Sequence, residues 1–163
     1  MITFKQLLVL QRKKIPLFDV DGTLLTLDPG ETTGYALWDM KEGTLLKSGQ
    51  IRTWPEVEWL SFQSQFNNFL PTIVVFESYQ VYEWKTEDHT WSQIPTVQTI
   101  GMLKFLCLQH SIPFYSQTAQ IAKGFCSDEK LEQWGFWKKG ERHARDAIRH
   151  GVYFLLFGPS KAS

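Results

Sequence analysis

The sequence predicts a single α/β domain built on a five-stranded mixed sheet flanked by helices. Three strand-like segments separated by turn residues come first, and helical and strand-like segments then alternate, giving the order βββαβαβα. The continuous apolar run at 73–76 is typical of a strand that is buried on both faces, as in parallel sheets. With 163 residues, the chain is long enough for one core and too short for two.

The predicted strands are short runs of apolar and β-branched residues bounded by turn signals. Pro29 and Gly30 end the first strand, and a turn closed by Gly43 separates the second from the third. The first three strands therefore form an antiparallel meander. The five strands are expected at 24–27, 33–38, 44–53, 73–76 and 113–115.

The predicted helices carry apolar residues at three- and four-residue spacing. Pro55 suits the first turn of a helix that covers the sheet. The long polar and aromatic loop at 78–95 is of a kind that is often functional. Helices are expected at 55–69, 97–110 and 141–157, with a broken helical segment at 118–135.

The domain boundaries follow from the two ends of this pattern. Residues 1–21 are interpreted as a basic N-terminal extension, 22–158 as the domain, and 159–163 as a C-terminal tail. The apolar run near the N-terminus is too short for a signal-peptide core, and no membrane span follows it. We expect an intracellular protein of the cytoplasm, with an organelle left open.

The composition is that of a globular protein, with 43% hydrophobic and 21% charged residues. A formal net charge of zero argues against a surface coated in positive charge but allows a local basic patch. Cys107 and Cys126 are the only cysteines, too few for a disulfide framework or a four-ligand zinc site. A reducing compartment is therefore expected.

Three acidic residues occupy positions that suit a metal site. Asp28 ends the first strand, Glu77 ends the fourth, and Asp146 lies on the last helix with His143 on the same face. Close carboxylates repel each other unless a cation lies between them, and Mg²⁺ prefers oxygen ligands. Each position also has an ordinary explanation: a turn at Asp28, an exposed strand end at Glu77, surface ion pairing at Asp146 and a polar helix residue at His143.

The motifs that carry these residues resemble those of the RuvC Holliday junction resolvases, nucleases of the RNase H-like and retroviral integrase superfamily. The segments Leu-Asp-Pro-Gly at 27–30 and Thr-Gly-Tyr-Ala at 33–36 resemble the opening motif. Phe-Glu at 76–77 resembles the second acidic position, and His-Ala-Arg-Asp-Ala at 143–147 the C-terminal helix. The resemblance covers roughly 23–157, and the small size and basic extension suggest a phage type.

This resemblance implies an RNase H-like fold in which the first and fourth strands are adjacent and parallel. Asp28, Glu77, His143 and Asp146 would be the catalytic and metal-binding residues, holding two Mg²⁺ ions per site, with Mn²⁺ as a substitute. One ion would lower the pKa of the attacking water and the other would stabilise the leaving 3′ oxygen. His143 would ligate a metal or position the water.

The resemblance also implies a biological role, as a crossover junction endodeoxyribonuclease of DNA recombination and repair. A homodimer would nick four-way junctions and other branched DNA symmetrically, because resolution requires paired incisions. Ala119 stands where the family often has Pro, and the loop at 78–95 differs in length from that of a typical bacterial resolvase. These departures bear on substrate preference more than on chemistry.

Residues around the acidic positions are expected to contact DNA. Aromatic side chains after Glu77 would stack on unpaired bases at a branch point, or pack together as a core of the loop. Basic side chains would contact phosphates, although solvation alone also explains Lys85. The expected DNA-binding residues are Tyr79, Tyr82, Trp84, Lys85, Lys123, Arg142, Arg145 and Arg149.

A second motif points to a different enzyme class. Leu-Phe-Asp-Val-Asp-Gly-Thr-Leu-Leu at 17–25 resembles the opening motif of the haloacid dehalogenase-like phosphatases, in which Asp19 would attack phosphorus and Asp21 would act as acid and base. That family needs further motifs in a larger α/β fold. A non-catalytic DNA-binding module with the nuclease fold is a third alternative, and the intact acidic positions argue against it.

Overall fold

The computed structural model describes residues 1–14, 21–53, 63–64, 66–68, 70–79 and 94–159. Its strands are β1 (Thr23–Asp28), β2 (Thr32–Asp39), β3 (Thr44–Arg52), β4 (Ile73–Glu77) and β5 (Phe114–Gln117). Its helices are α1 (Phe4–Lys14), α2 (Ile94–Gln109), α3 (Ala119–Phe125), α4 (Asp128–Gln133) and α5 (Arg142–Phe157). Within the described ranges, none of the helices is long and apolar enough to cross a membrane.

The five strands form one mixed sheet in the order β3-β2-β1-β4-β5. β1 pairs antiparallel with β2, and β2 pairs antiparallel with β3, which confirms the predicted meander. β1 pairs parallel with β4, and β4 pairs parallel with β5. The predicted adjacency of the first and fourth strands is therefore confirmed.

The core occupies both faces of this sheet, because successive strand residues point to opposite sides. Leu24 packs with α5 on one face, whereas the next residue, Leu25, packs with α2 on the other. The α1 helix adds to the α5 side, where Phe4 and Leu8 are buried. The described part of the predicted N-terminal extension thus shares the core of the domain.

Helix α5 lies unusually close to the sheet because two glycines remove the obstructing side chains. A Cβ atom on Gly34 would lie 1.9 Å from the carbonyl oxygen of His143, and one on Gly151 would lie 2.1 Å from Nε1 of Trp38. The hydroxyl of Thr26 donates a hydrogen bond of 2.7 Å to the carbonyl oxygen of Ala147. These contacts fix where α5 crosses β1 and β2.

The predicted broken helix at 118–135 is two short helices, and side-chain caps explain the break. The Thr118 hydroxyl accepts a hydrogen bond from the Ile121 amide at the start of α3. The Ser127 hydroxyl accepts one from the Lys130 amide at the start of α4. A capping residue has non-helical backbone angles, so Ser127 ends the continuity of the segment.

Other predicted elements differ from the structure in their bounds. Helix α2 begins at Ile94 rather than at Val97, because Pro95 is accommodated in its first turn. The fifth strand is shifted toward the C-terminus and reaches Gln117. Most of the predicted helix at 55–69, and 80–93 of the predicted loop, lie outside the described residues.

The described part of the phosphatase motif, residues 21–25, begins at the end of β1 opposite Asp28. Asp21 precedes the strand, is exposed, and forms an ion pair of 3.1 Å with Lys41. Asp19 lies outside the described residues. In open α/β sheets, sites form at the carboxyl ends of parallel strands, where Asp28 is, and not at the amino end, where Asp21 is.

Candidate active site

Three polar residues line the same edge of the sheet. Asp28 ends β1, and Glu77 ends β4. The parallel register pairs the residues just before them, and it pairs Glu77 with Gln117 at the end of β5. Because carboxyl ends of parallel strands meet at one edge, the topology brings Asp28, Glu77 and Gln117 into one row.

Helix α5 crosses this edge and contacts two of the strand ends. His143 Nδ1 lies 2.7 Å from Oδ2 of Asp28. Two turns further along the helix, His150 Nε2 lies 3.0 Å from Oε2 of Glu77. Residues at such spacing share one helix face, so α5 presents two imidazoles to two carboxylates.

Asp28 is the electrostatic centre of the site. Burial raises the pKa of its carboxyl group, and the hydrogen bond from His143 opposes that rise. The negative charges of Glu77 and Asp146 raise the pKa of Asp28 further. Asp28 therefore lies close enough to both Glu77 and Asp146 for their charges to oppose its ionisation.

His143 is the partner that compensates Asp28. The hydrogen bond to Asp28 raises the pKa of His143, burial opposes the rise, and the charges of Asp28 and Asp146 add to it. The His143 amide donates a hydrogen bond of 2.9 Å to Oε1 of Gln50 on β3. The first turn of α5 is thus fixed to the sheet at both its backbone and its imidazole.

Asp146 is buried and held by two cations. Lys123 Nζ lies 3.1 Å from its Oδ2 atom, and the Arg149 guanidinium binds its Oδ1 atom. Arg149 also donates a hydrogen bond of 2.9 Å to the carbonyl oxygen of Cys126 and pairs with Asp128. Arg149 thereby ties α5 to the junction between α3 and α4.

The predicted basic stripe on α5 divides into different environments. Arg142 is exposed. Arg145 donates a hydrogen bond of 2.6 Å to the carbonyl oxygen of Lys138 and lies over the Trp137 ring. Arg149 differs from the expectation, because it is buried and its guanidinium nitrogens bind protein groups.

A polar cavity of about 370 Å³ opens beside Asp146. Four basic side chains and the start of α4 form part of its wall. The lining residues are Lys123, Cys126, Ser127, Asp128, Arg142, Arg145, Asp146 and Arg149. The cavity therefore combines a carboxylate of the acidic cluster with cationic groups that suit a phosphate.

Of the aromatic residues that were predicted to contact DNA, the structure describes Tyr79 alone. Tyr79 is half-buried, two residues after Glu77. Tyr82, Trp84 and Lys85 lie outside the described residues, so their predicted contacts with DNA stay predictions.

Two residues of the site were missed by sequence reasoning. His150 was not recognised, although it lies on the same helix face as His143 and Asp146. Gln117 was not recognised either, although it ends the fifth strand as Glu77 ends the fourth. Both signals were present in the sequence, but each depended on pairing between distant segments.

The donor chemistry of the cluster fits a hard divalent cation. The carboxylate of Asp28 and those of Glu77 and Asp146, whose charges act on it, supply the oxygen ligands that Mg²⁺ prefers. Within the described ranges, no three His, Cys, Asp or Glu side chains already converge on a common metal position. Instead, Asp28, Glu77 and Asp146 are each bound to a protein donor, which a cation would have to displace or share.

No protein-family model and no curated protein matches the sequence. Among solved structures, Thermus thermophilus RuvC in complex with a Holliday junction substrate has a TM-score of 0.64 and 14% identity, covering 83% of this chain and 93% of that one. A second Thermus thermophilus RuvC structure gives a TM-score of 0.62 and 15% identity, covering 83% and 94%. The yeast mitochondrial Holliday junction resolvase Ydc2 gives a TM-score of 0.54 and 12% identity, covering 90% of this chain and 83% of that one.

The chain therefore has an α/β fold of the RNase H-like class. Within that class its sheet and helices match the RuvC type, which confirms the fold that the motifs at 27–36, 76–77 and 143–147 predicted. Identities of 12–15% establish the fold alone.

Proposed function

We propose that this chain is a metal-dependent nuclease that cuts branched DNA such as Holliday junctions. The observation that carries the proposal is the gathering of Asp28, Glu77 and Asp146 around the carboxyl edge of β1 and β4. The fold is shared with a RuvC whose structure holds a Holliday junction substrate. With DNA as its proposed substrate, the protein would act in the cytoplasm of a bacterial cell or phage-infected host.

The acidic cluster would hold two Mg²⁺ ions, or Mn²⁺ in their place. Asp28, Glu77 and Asp146 are the proposed ligands, and His143 would join them or orient the attacking water. Bound cations of this kind lower the pKa of water and stabilise a leaving oxygen. The protein's own contribution is a set of carboxylates whose repulsion favours a cation.

The cavity beside Asp146 would take the phosphate backbone next to the cut. Lys123 and Arg142 are the accessible cations there, since the Lys123 side chain is 41% exposed and Arg142 is exposed. Arg145 already contacts the Trp137 ring and donates a hydrogen bond to the carbonyl oxygen of Lys138. We therefore assign phosphate contact first to Lys123 and Arg142, and an internal role to Arg149.

The proposed nuclease would be a homodimer that pairs through α2. One stripe of this helix leaves large apolar side chains exposed, and the exposed residues are Val97, Met102, Phe105 and Leu108. Gly101 lies on the same side of the helix, and a Cβ added there would meet no atom within 4 Å in the described part of the chain. Contiguous exposed apolar surface of this kind marks interaction sites, and a two-fold dimer would bury it.

Cleavage of a labelled four-way junction beside a matched linear duplex tests the proposal. We expect paired nicks in the junction with Mg²⁺ or Mn²⁺, none with EDTA, and loss of nicking in Asp146→Asn. The control Asp21→Asn removes an exposed carboxylate at the other end of β1 and should cleave normally. Binding without cleavage would indicate a non-catalytic module, and phosphatase activity lost in Asp19→Asn would favour the alternative enzyme class.

A further inference from the structure

His150 is a fully buried imidazole that joins the ends of two strands. Its relative exposure is 0%, and the residues that follow it on α5 are mostly apolar. Nε2 lies 3.0 Å from Oε2 of Glu77, and Nδ1 lies 3.0 Å from Oε1 of Gln117. Both ring nitrogens are therefore engaged, one by a proposed metal ligand and the other by an amide.

The orientation of the Gln117 amide bears on which nitrogen of His150 carries the proton. Gln117 is 1% exposed, and in the described part of the chain its Nε2 atom is buried with no hydrogen-bond partner. Rotating the amide by 180° exchanges its nitrogen and oxygen, so that the amide N–H donates to His150 Nδ1. A buried carbonyl oxygen without a partner is tolerated better than a buried N–H, so this orientation removes the larger cost.

With Nδ1 as the acceptor, a neutral ring carries its hydrogen on Nε2. That hydrogen points at Glu77, whose ionised carboxylate only accepts hydrogen bonds. One carboxylate oxygen is thereby fixed, and the other is left for a cation. A glutamate at the end of a short strand has several rotatable bonds, which this single contact restrains.

We propose that His150, held by Gln117, is a positioning residue that aims the Glu77 carboxylate at the metal cluster. This inference rests on the proposed nuclease function. Hydrogen-bonded partners behind metal ligands typically change metal affinity or activity by about 10- to 100-fold when they are removed. His150 would act through Glu77 and would not contact DNA.

The tautomer is measurable without any activity. Long-range ¹H–¹⁵N correlation spectra of the metal-free protein with ¹⁵N-labelled histidine report which ring nitrogen is protonated, and His150→Gln assigns the signal. We expect the Nε2–H tautomer. A ring protonated on Nδ1 alone could not donate to Glu77 and would overturn the proposal. Protonation on both nitrogens would keep the donation to Glu77 and would overturn only the rotated orientation of the Gln117 amide.

Two amide variants separate positioning from packing. In His150→Gln the side-chain amide reaches the place of Nε2 and still donates to Glu77, whereas in His150→Asn it reaches only the place of Nδ1. We expect His150→Gln to keep the junction-cleavage kcat within about threefold, and His150→Asn to lose about 10- to 100-fold in kcat with unchanged KM. His150→Asn should also need more Mg²⁺ for half-maximal rate.

The outcomes distinguish this inference from the proposed function. If the wild type cleaves junctions and the two variants are equally active, His150 is not a positioning residue. If the wild type does not cleave, the nuclease proposal fails, while the tautomer spectrum still decides whether His150 donates to Glu77. Should His150→Asn fail to fold, the spectrum of the wild type likewise decides the hydrogen bond.

Discussion

Replacing Arg149 with Met tests whether this residue supports the site from inside the protein. The Arg149 side chain is 10% exposed and that of Asp146 is 5% exposed, so their ion pair is buried. Removing one partner of a buried pair typically costs about 3–5 kcal/mol, because the other charge is left uncompensated. Lys123 still pairs with Asp146, so we expect a loss near the lower limit, about 3 kcal/mol.

The assay is urea unfolding at neutral pH, with the free energy of unfolding obtained by linear extrapolation. Arg142→Met is the matched control, since it removes an exposed arginine from the same helix and should change stability by less than about 0.5 kcal/mol. In the double variant Arg149→Met with Asp146→Asn, the cost should fall short of the sum of the single costs. If Arg149→Met and Arg142→Met lowered the free energy of unfolding by equally small amounts, the internal role of Arg149 would be refuted. Arg149 would then again be a candidate for DNA contact.

Three other predictions concern the pH dependence of stability, the packing of α5 and the assembly of the protein. Burial, and then the neighbouring carboxylates, raise the pKa of Asp28 in the folded protein. The ionised form of Asp28 therefore destabilises the fold. This destabilisation is fully present above the raised pKa and decreases as the pH falls toward the usual pKa of an aspartate. Asp28→Asn should therefore raise the melting temperature more at pH 8 than at pH 4, and equal shifts would contradict this. Gly151→Ala should cost about 2 kcal/mol or more in urea unfolding, because its Cβ would lie 2.1 Å from a buried indole. Gly124→Ala, with open space in the described structure, should be neutral or stabilising. Phe105→Glu should convert a dimer to a monomer in analytical ultracentrifugation, whereas Lys47→Glu, at an exposed position on β3, should not. An unchanged mass for Phe105→Glu would exclude the α2 interface.

The strands and the acidic ends of β1 and β4 were predictable because they depend on local pattern. An apolar run that stops at a carboxylate needs no knowledge of the rest of the chain. The adjacency of Asp28 and Glu77 was different, because strand pairing is non-local, and it came from the resemblance of the motifs to a known family. That expectation is confirmed by the parallel register of β1 and β4.

The remaining features of the site depend on contacts between segments far apart in the chain. His150 is hydrogen-bonded to Glu77 and Gln117, which lie 73 and 33 residues away in the sequence. The sequence alone does not distinguish it from the other residues on the inward face of the helix. Arg149 was expected at the surface because a helical wheel does not show that the junction of α3 and α4 covers it. Sequence pattern indicates which face of a helix is polar, but not what packs on it.

Helix α5 makes stability and function inseparable in this domain. Gly34 on β2 and Gly151 on α5 let the helix lie against the strand, and this docking brings His143 and His150 to the strand ends. A shift of the helix by even one ångström would separate both imidazoles from their carboxylates, since the hydrogen bonds are 2.7 and 3.0 Å long. Substitutions at the buried glycines should therefore reduce cleavage as well as stability, although neither glycine belongs to the acidic cluster.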